Sequence, residues 1–264
     1  MNPYFKHNLN GKTIFQIPAL ESNYIYMISK GKKAWVFDPG EFAPVQSILK
    51  KYSLTLEAIY ITHHHYDHVD GIEELCKEWQ CPVFGHELDS HRIPCISNLL
   101  KNGDKVNLGD LGAEVIFLPG HTTGLIAYYF KKENWLFSND LIFSLGCGKL
   151  FEGTAQQMQK SLSYLFTLPP QTLLMISHEY SSINLDFCLS IFPEDEALLE
   201  VSKDIQVKHQ ANKPTVPTTI EYQKKYNPFI RWDNSYIRKK LNMESAKDWQ
   251  IFAEIRRQKD TFPT

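Results

Sequence analysis

Between residues 62 and 68 the chain reads Thr-His-His-His-Tyr-Asp-His, four imidazoles and a carboxylate in seven positions, directly behind the apolar run Ala58, Ile59, Tyr60, Ile61. Such a run needs a rigid strand to present it. In an extended chain alternate side chains share a face, so His63 and His65 can point at one metal ion while His64 turns away. Asp67 and His68 fall where the chain turns into a helix-like stretch at 71–80, and can hold a second ion beside the first. Imidazole with a few carboxylates suits zinc, iron or manganese better than calcium or magnesium, which prefer all-oxygen shells. The run contains no thiolate, which argues against a closed, Cys-rich structural zinc site. An expression tag would sit at a terminus, whereas this run is internal, interrupted by Asp67 and fed by a strand.

Further candidates stand at the ends of other expected strands. Pro119-Gly120-His121-Thr122 follows a strand at 113–118, Asp140 follows one at 134–138, and His178 follows the apolar run 173–176. Each alone is weak; together they form a pattern, because residues at strand ends are positioned by a rigid scaffold and can converge on one cleft. The seven candidate ligands are therefore His63, His65, Asp67, His68, His121, His178 and, as a bridge, Asp140. His7, His86, His91 and His209 have no comparable context and are expected to be ordinary histidines. Asp38, in Val36-Phe37-Asp38-Pro39-Gly40, is expected to orient a ligand or make a turn.

Short β-rich runs dominate the first part of the chain, at 12–18, 24–29, 33–38, 57–62, 82–85, 113–119, 125–130, 134–138 and 173–177, with Gly, Pro, Asn or Asp between them. Helical patterns interleave at 44–52, 72–80 and 154–167. This is a layered α/β arrangement of two sheets with covering helices and not a regular βαβ repeat. After about residue 180 the texture becomes helical, at 185–192, 194–210, 219–226, 233–241 and 245–258, with the Pro-rich stretch 213–217 as a loop. Two domains are expected, 1–180 and 181–264.

At 264 residues, 43% hydrophobic and 22% charged, the chain has the composition of a globular protein able to bury a sizeable core. No apolar run approaches the roughly 20 residues of a membrane span, and residues 1–11 lack a secretory apolar core and cleavage site. The cysteines, Cys76, Cys81, Cys95, Cys147 and Cys188, are odd in number and irregularly spaced. A disulfide framework is not expected, and a reducing cytoplasm fits. The formal net charge of −2 argues against nucleic-acid or membrane binding. Its distribution is uneven: residues 201–264 hold 13 Lys and Arg against 7 Asp and Glu, a balance of +6, leaving −8 for the rest.

Thr62 to His68, Pro119-Gly120-His121-Thr122, Asp140 and Ser177-His178-Glu179-Tyr180 resemble the metallo-β-lactamase superfamily, and within it the glyoxalase II (hydroxyacylglutathione hydrolase) family. The segments that point to this family are residues 146–154 (GCGKLFEGT), Tyr226-Asn227-Pro228-Phe229 and Arg256-Arg257-Gln258-Lys259-Asp260. The resemblance covers about residues 23–259 and implies an αββα sandwich followed by a smaller all-helical C-terminal domain. It implies that His63, His65 and His121 hold one ion, that Asp67, His68 and His178 hold the second, and that Asp140 bridges. It also assigns glutathione contacts to Lys149, Tyr180, Arg256 and Lys259, with Phe151 beside them. The chain departs from the family pattern at Ser138-Asn139-Asp140, where Thr-Gly-Asp is usual, at Val69-Asp70-Gly71-Ile72, and at Ser177, where Gly is common.

The expected reaction is hydrolysis of S-(2-hydroxyacyl)glutathione, with S-D-lactoylglutathione giving glutathione and D-lactate, the second step of methylglyoxal detoxification. The expected cofactors are two divalent ions, zinc first, with iron or manganese as alternatives. Two such ions lower the pKa of a bridging water from about 15.7 to about 7, so the attacking group is a hydroxide and Asp67 orients it. A glutathione thioester carries two carboxylates, which Lys and Arg hold by charge-assisted hydrogen bonds, and this gives the basic tail a function. A monomer in the cytoplasm is expected. A persulfide dioxygenase or another hydrolase of the superfamily is the rival reading.

Overall fold

The computed structural model describes residues 4–9 and 11–263, and within it the chain divides into two compact units, residues 1–117 with 124–133 and residues 118–123 with 134–264. In the first unit the elements are β1 (Phe5–Leu9), β2 (Lys12–Ala19), β3 (Asn23–Lys30), β4 (Lys33–Phe37), α1 (Phe42–Tyr52), β5 (Thr55–Tyr60), α2 (Tyr66–Val69), α3 (Ile72–Trp79), β6 (Val83–His86), β7 (Asn98–Leu100), β8 (Lys105–Leu108), β9 (Leu111–Phe117) and β10 (Ile126–Phe130). Strands β1 to β7 form one sheet in sequence order. β1 to β4 run antiparallel, and β4, β5, β6 and β7 run parallel.

Both faces of this sheet are covered, so β3 and β4 are almost continuously buried. On one face Val45, Ile48 and Leu49 of α1 and Ile72 and Leu75 of α3 join Phe15, Ile17, Ile25, Met27, Val36 and Ile59 in a single apolar cluster. On the other, Phe37 and Tyr60 pack edge-on against Tyr128 of β10 at 5.6 and 5.5 Å, and Phe37 also meets Phe130. Strands β8, β9 and β10 form an antiparallel meander there. The layers are helix, sheet, sheet. Tyr128 donates its buried hydroxyl to the carbonyl of Ile61 at 2.8 Å, which anchors the backbone just where β5 hands over to the histidine run.

The second unit holds β11 (Trp135–Phe137), β12 (Ile142–Phe143), β13 (Gly146–Cys147), α4 (Ala155–Tyr164), β14 (Leu173–Met175), α5 (Ser181–Ile191), α6 (Glu196–Gln210), β15 (Thr218–Thr219), α7 (Ile220–Tyr226), α8 (Ser235–Lys240) and α9 (Asp248–Asp260). β11 pairs parallel with β14, and β14 antiparallel with β15. α4 starts on a capping box in which Thr154 accepts from the Gln157 backbone and the Gln157 side chain accepts from the Thr154 backbone. It stops at Tyr164, and the rest of the helix expected to residue 167 is a 3-10 turn. Across the chain the strands make two mixed sheets, followed by the helical run α5 to α9.

Elements absent from the expectation are short. β1 carries only half-buried and exposed positions, β8 is four residues with Val106 and Leu108 buried, and β7, β12, β13 and β15 are three residues or fewer. Runs that short contain too few side chains for a period to show.

Candidate metal centre

In the first unit β5 delivers the histidine run, and Asp38 organises it. Asp38 sits at φ +48°, its amide donating to the carbonyl of Tyr60, so its carboxylate turns toward the loop. One oxygen accepts from the Thr62 amide at 2.7 Å. The other accepts from the Thr62 hydroxyl at 2.5 Å and lies 3.0 Å from Nδ1 of His68. Because the Thr62 hydroxyl donates to Asp38, it accepts from Nδ1 of His63, 3.1 Å away. Both rings thereby carry their proton on Nδ1 and present the lone pair of Nε2. Nε2 of His63 lies 3.1 Å from Nδ1 of His65, and Nε2 of His68 lies 3.6 Å from a carboxylate oxygen of Asp67. Asn23 donates to that oxygen at 2.9 Å and to the Asp67 carbonyl at 3.2 Å.

Asp38, His63 and His68 offer ligand atoms within 4.8 Å of one another, all buried. With its oxygens taken by Thr62 and His68, Asp38 orients the histidines. His64 points elsewhere, its Nδ1 3.2 Å from the buried Asp89 carboxylate and its Nε2 facing an Arg92 guanidinium nitrogen at 3.0 Å. Two glycines permit the turn after β4 to approach. A Cβ on Gly40 would collide with the Asp67 carbonyl, and one on Gly71 would lie 2.5 Å from the Pro39 carbonyl.

The second unit carries its own constellation around Asp140. Nε2 of His121 lies 3.4 Å from one oxygen of this carboxylate, and Nε2 of His178 lies 3.4 Å from the other. Nδ1 of His121 donates to the carbonyl of Lys149 at 2.7 Å, so its Nε2 is the lone-pair nitrogen. All three residues are buried. Each oxygen of this carboxylate thus faces a different imidazole. The donors are nitrogen and oxygen only, which suits a borderline transition metal.

The residues expected to touch substrate lie in the same unit. Tyr180 stacks on His178, ring centroids 4.7 Å apart, and meets Phe143 edge-on. Phe151, 61% exposed, stands edge-on to His121, and the Lys149 ammonium lies 5.5 Å from the Phe151 ring centroid. Lys259 donates to the Ile183 carbonyl at 3.3 Å, and its pKa is lowered by burial and by the neighbouring Arg256 charge. Arg256 is buried, donating to the Cys147 carbonyl at 3.0 Å and pairing with Asp260 at 2.9 Å.

Two family models match the chain in tandem: the metallo-beta-lactamase superfamily over residues 19–178 and the hydroxyacylglutathione hydrolase C-terminus over 179–262. Among curated relatives, a hydroxyacylglutathione hydrolase of Bartonella henselae is 42% identical over 94% of this chain and 99% of its own length. One of Ruegeria pomeroyi is 40% identical over 94% and 98%. The chain belongs to the hydroxyacylglutathione hydrolase (glyoxalase II) family. Among solved structures, ETHE1 from Myxococcus xanthus superposes with a TM-score of 0.68 at 25% identity, covering 95% of this chain and 92% of that one. The BLEG-1 B3 metallo-beta-lactamase gives 0.64 at 23% identity, covering 83% and 99%, a likeness of fold. The two sheets followed by α5 to α9 are the sandwich and helical region of a hydroxyacylglutathione hydrolase, and the His and Asp clusters fit the metal site of its superfamily.

Two departures from the hydroxyacylglutathione hydrolase pattern now have a physical account. Asn139, in the place of a usual Gly, adopts φ +36°, a left-handed conformation that Asn tolerates. Ser177, also in the place of Gly, donates its hydroxyl to an oxygen of Asp140. In the third, Val69 joins the apolar core while Asp70 is exposed. Sequence reasoning missed Asn23, Asp89, Arg92 and Ser177. The first three are ordinary polar residues 25 to 44 positions from the side chains they orient or contact, except for the local Arg92–Asp89 pair. Only Ser177, beside His178, carried a local signal.

Proposed function

We propose that the protein hydrolyses S-(2-hydroxyacyl)glutathione, S-D-lactoylglutathione first, to glutathione and a 2-hydroxy acid, using two divalent ions, zinc before iron or manganese. What carries this reading is full-length identity of about 40% to hydroxyacylglutathione hydrolases, together with an Asp140 carboxylate that faces a separate imidazole with each oxygen. By resemblance, His63, His65 and His121 would hold one ion, Asp67, His68 and His178 would hold the other, and Asp140 would serve both. When bound, such a pair makes water a nucleophile at neutral pH and polarises an acyl oxygen.

The chain's own groups supply the rest. Asp67, held by Asn23, orients the attacking water. Asp38, in part through Thr62, and the Lys149 carbonyl fix the tautomers of His63, His68 and His121, so none of these three rings has to turn or shift a proton before it binds. Lys149, Tyr180, Arg256 and Lys259, with Phe151 beside them, hold the glutathione carboxylates and peptide, and residues 181–264 act as the substrate-binding domain to a catalytic domain of 1–180. A departing thiolate with a pKa of about 8–9 needs no strong general acid, and none is assigned. The protein is proposed to act as a cytoplasmic monomer; among the described residues no helix is long and apolar enough to cross a membrane.

Elemental analysis coupled to a thioesterase assay tests this. Asp67→Ala and His121→Ala should each lose bound metal and at least about 100-fold in kcat/KM, since each removes a metal ligand. Activity and metal content near wild type in either variant would refute the centre. Oxygen uptake with a glutathione persulfide would instead support a persulfide dioxygenase, a reading that leaves the matched hydroxyacylglutathione hydrolase C-terminus at 179–262 without a purpose.

A further inference from the structure

Five successive backbone carbonyls, from Phe143 to Cys147, are each held by a side chain of the helical region. Asn227 donates its amide to the carbonyls of Phe143 at 3.1 Å and Gly146 at 2.9 Å. Asn184 donates to Ser144 at 3.0 Å, the Cys188 thiol to Leu145 at 3.4 Å, and Arg256 to Cys147 at 3.0 Å. Asn227 is fully buried and itself fixed, its oxygen accepting from the Phe229 amide at 3.0 Å and its nitrogen shared with Gln223. The hairpin of β12 and β13 pairs only two residues with two, so these side chains, more than its own ladder, set its geometry.

The held segment runs straight into the metal-ligand candidates. At Gly148 a Cβ would collide with the Asp140 carbonyl and lie 2.8 Å from Nδ1 of His121. At Lys149 the carbonyl accepts the 2.7 Å bond that fixes the His121 tautomer. A buried polar network in which every member is paired is rigid, and a shift in one carbonyl is passed to the next. The helical region therefore fixes the seat of His121 as well as whatever it contributes to substrate binding.

We propose that Asn227 and Asn184 are positioning residues for the metal centre, acting on His121 and Lys149 through the carbonyls of residues 143–147. The proposal rests on the preceding reading in taking His121 as a metal ligand. It predicts that removing one of these grips loosens metal binding and slows turnover more than it weakens substrate binding.

The test uses the full-length, zinc-loaded protein and its Asn227→Ala and Asn184→Ala variants. Zinc affinity is read by competition with a chromophoric chelator, kcat and KM on S-D-lactoylglutathione, and folded fraction by circular dichroism. Zinc affinity at one site should fall about 10-fold or more, as for other groups that orient a ligand from behind. kcat should fall with it while KM stays within about 3-fold, the signature of lost transition-state geometry and not of lost binding. Variants that melt earlier yet bind zinc and turn over like wild type per folded molecule would overturn the proposal. Should Asn227→Ala fail to fold, Asn184→Ala, which frees one carbonyl, decides by the same measurements. Wild-type protein that bound no zinc would overturn the metal-centre reading itself, and this inference with it.

Discussion

At the scale of single residues, the candidate ligands depend on partners that hold them from behind. Asp38 takes the Thr62 amide and hydroxyl and faces His68, and Ser177 donates to Asp140. The Ser177 contact is this chain's addition at a position where its family usually has Gly, and it occupies part of an oxygen that also faces His178 at 3.4 Å. Ser177→Ala should lower metal affinity by up to about 10-fold, with the fold unchanged, since removing a group that orients a ligand has effects of that order. Metal content after dialysis against a weak chelator measures it; retention equal to wild type would show that Asp140 needs no help from the hydroxyl. Asn139 shows the same economy in backbone terms: its φ of +36° demands Gly or Asn, and the substitution keeps Asp140 in place.

At the scale of elements, α9 shows how one helix can serve two ends. Its buried side carries Ile251, Phe252, Ile255 and Arg256, the last reaching the Cys147 carbonyl, while its outer side carries Glu254 and Arg257. The Arg257 guanidinium donates to both Glu254 oxygens, at 2.8 and 2.6 Å, and holds the carboxyl down to about 2 from an ordinary 4.5. A carboxyl with a lowered folded pKa stabilises the fold fully above its unfolded value and loses that contribution as pH falls through its folded one. The urea midpoint of Arg257→Ala should therefore lie slightly below wild type at pH 6. The gap should close between about pH 4.5 and 2, in a direction fixed by linkage and a size kept small by solvent screening. A gap independent of pH would assign the effect to helix packing.

At the scale of the whole molecule, metal binding is linked to the stability of the folded chain. Metal that binds only the folded chain stabilises it by about 2.7 kcal/mol per site when free metal stands at 100 times Kd, several degrees of Tm for a protein of this size. Stripping metal with a strong chelator should lower Tm by that order and abolish thioester hydrolysis, and zinc but not magnesium should restore both. Calorimetry on holo and stripped protein checks it; an unchanged Tm would mean that the His and Asp clusters hold no structural share of the metal.

Much of this was legible in the chain before folding. The apolar run behind Thr62 marked a strand, and the spacing of His63, His65, Asp67 and His68 marked candidate donors for metal, because both signals are local and the chemistry follows from residue type alone. The helical texture after residue 180 was equally local. The partners that make the donors usable were not. Asp38 stood out at a strand end, but Asn23 for Asp67 and Asn227 for the carbonyls of Phe143 and Gly146 lie 44 to 84 positions from their partners, and nothing near them in sequence marks them. A metal ligand is recognisable by its own atoms; an orienting hydrogen bond exists only where the fold brings two distant residues within about 3 Å, so the tautomers and the seat of His121 were decided by the tertiary structure alone.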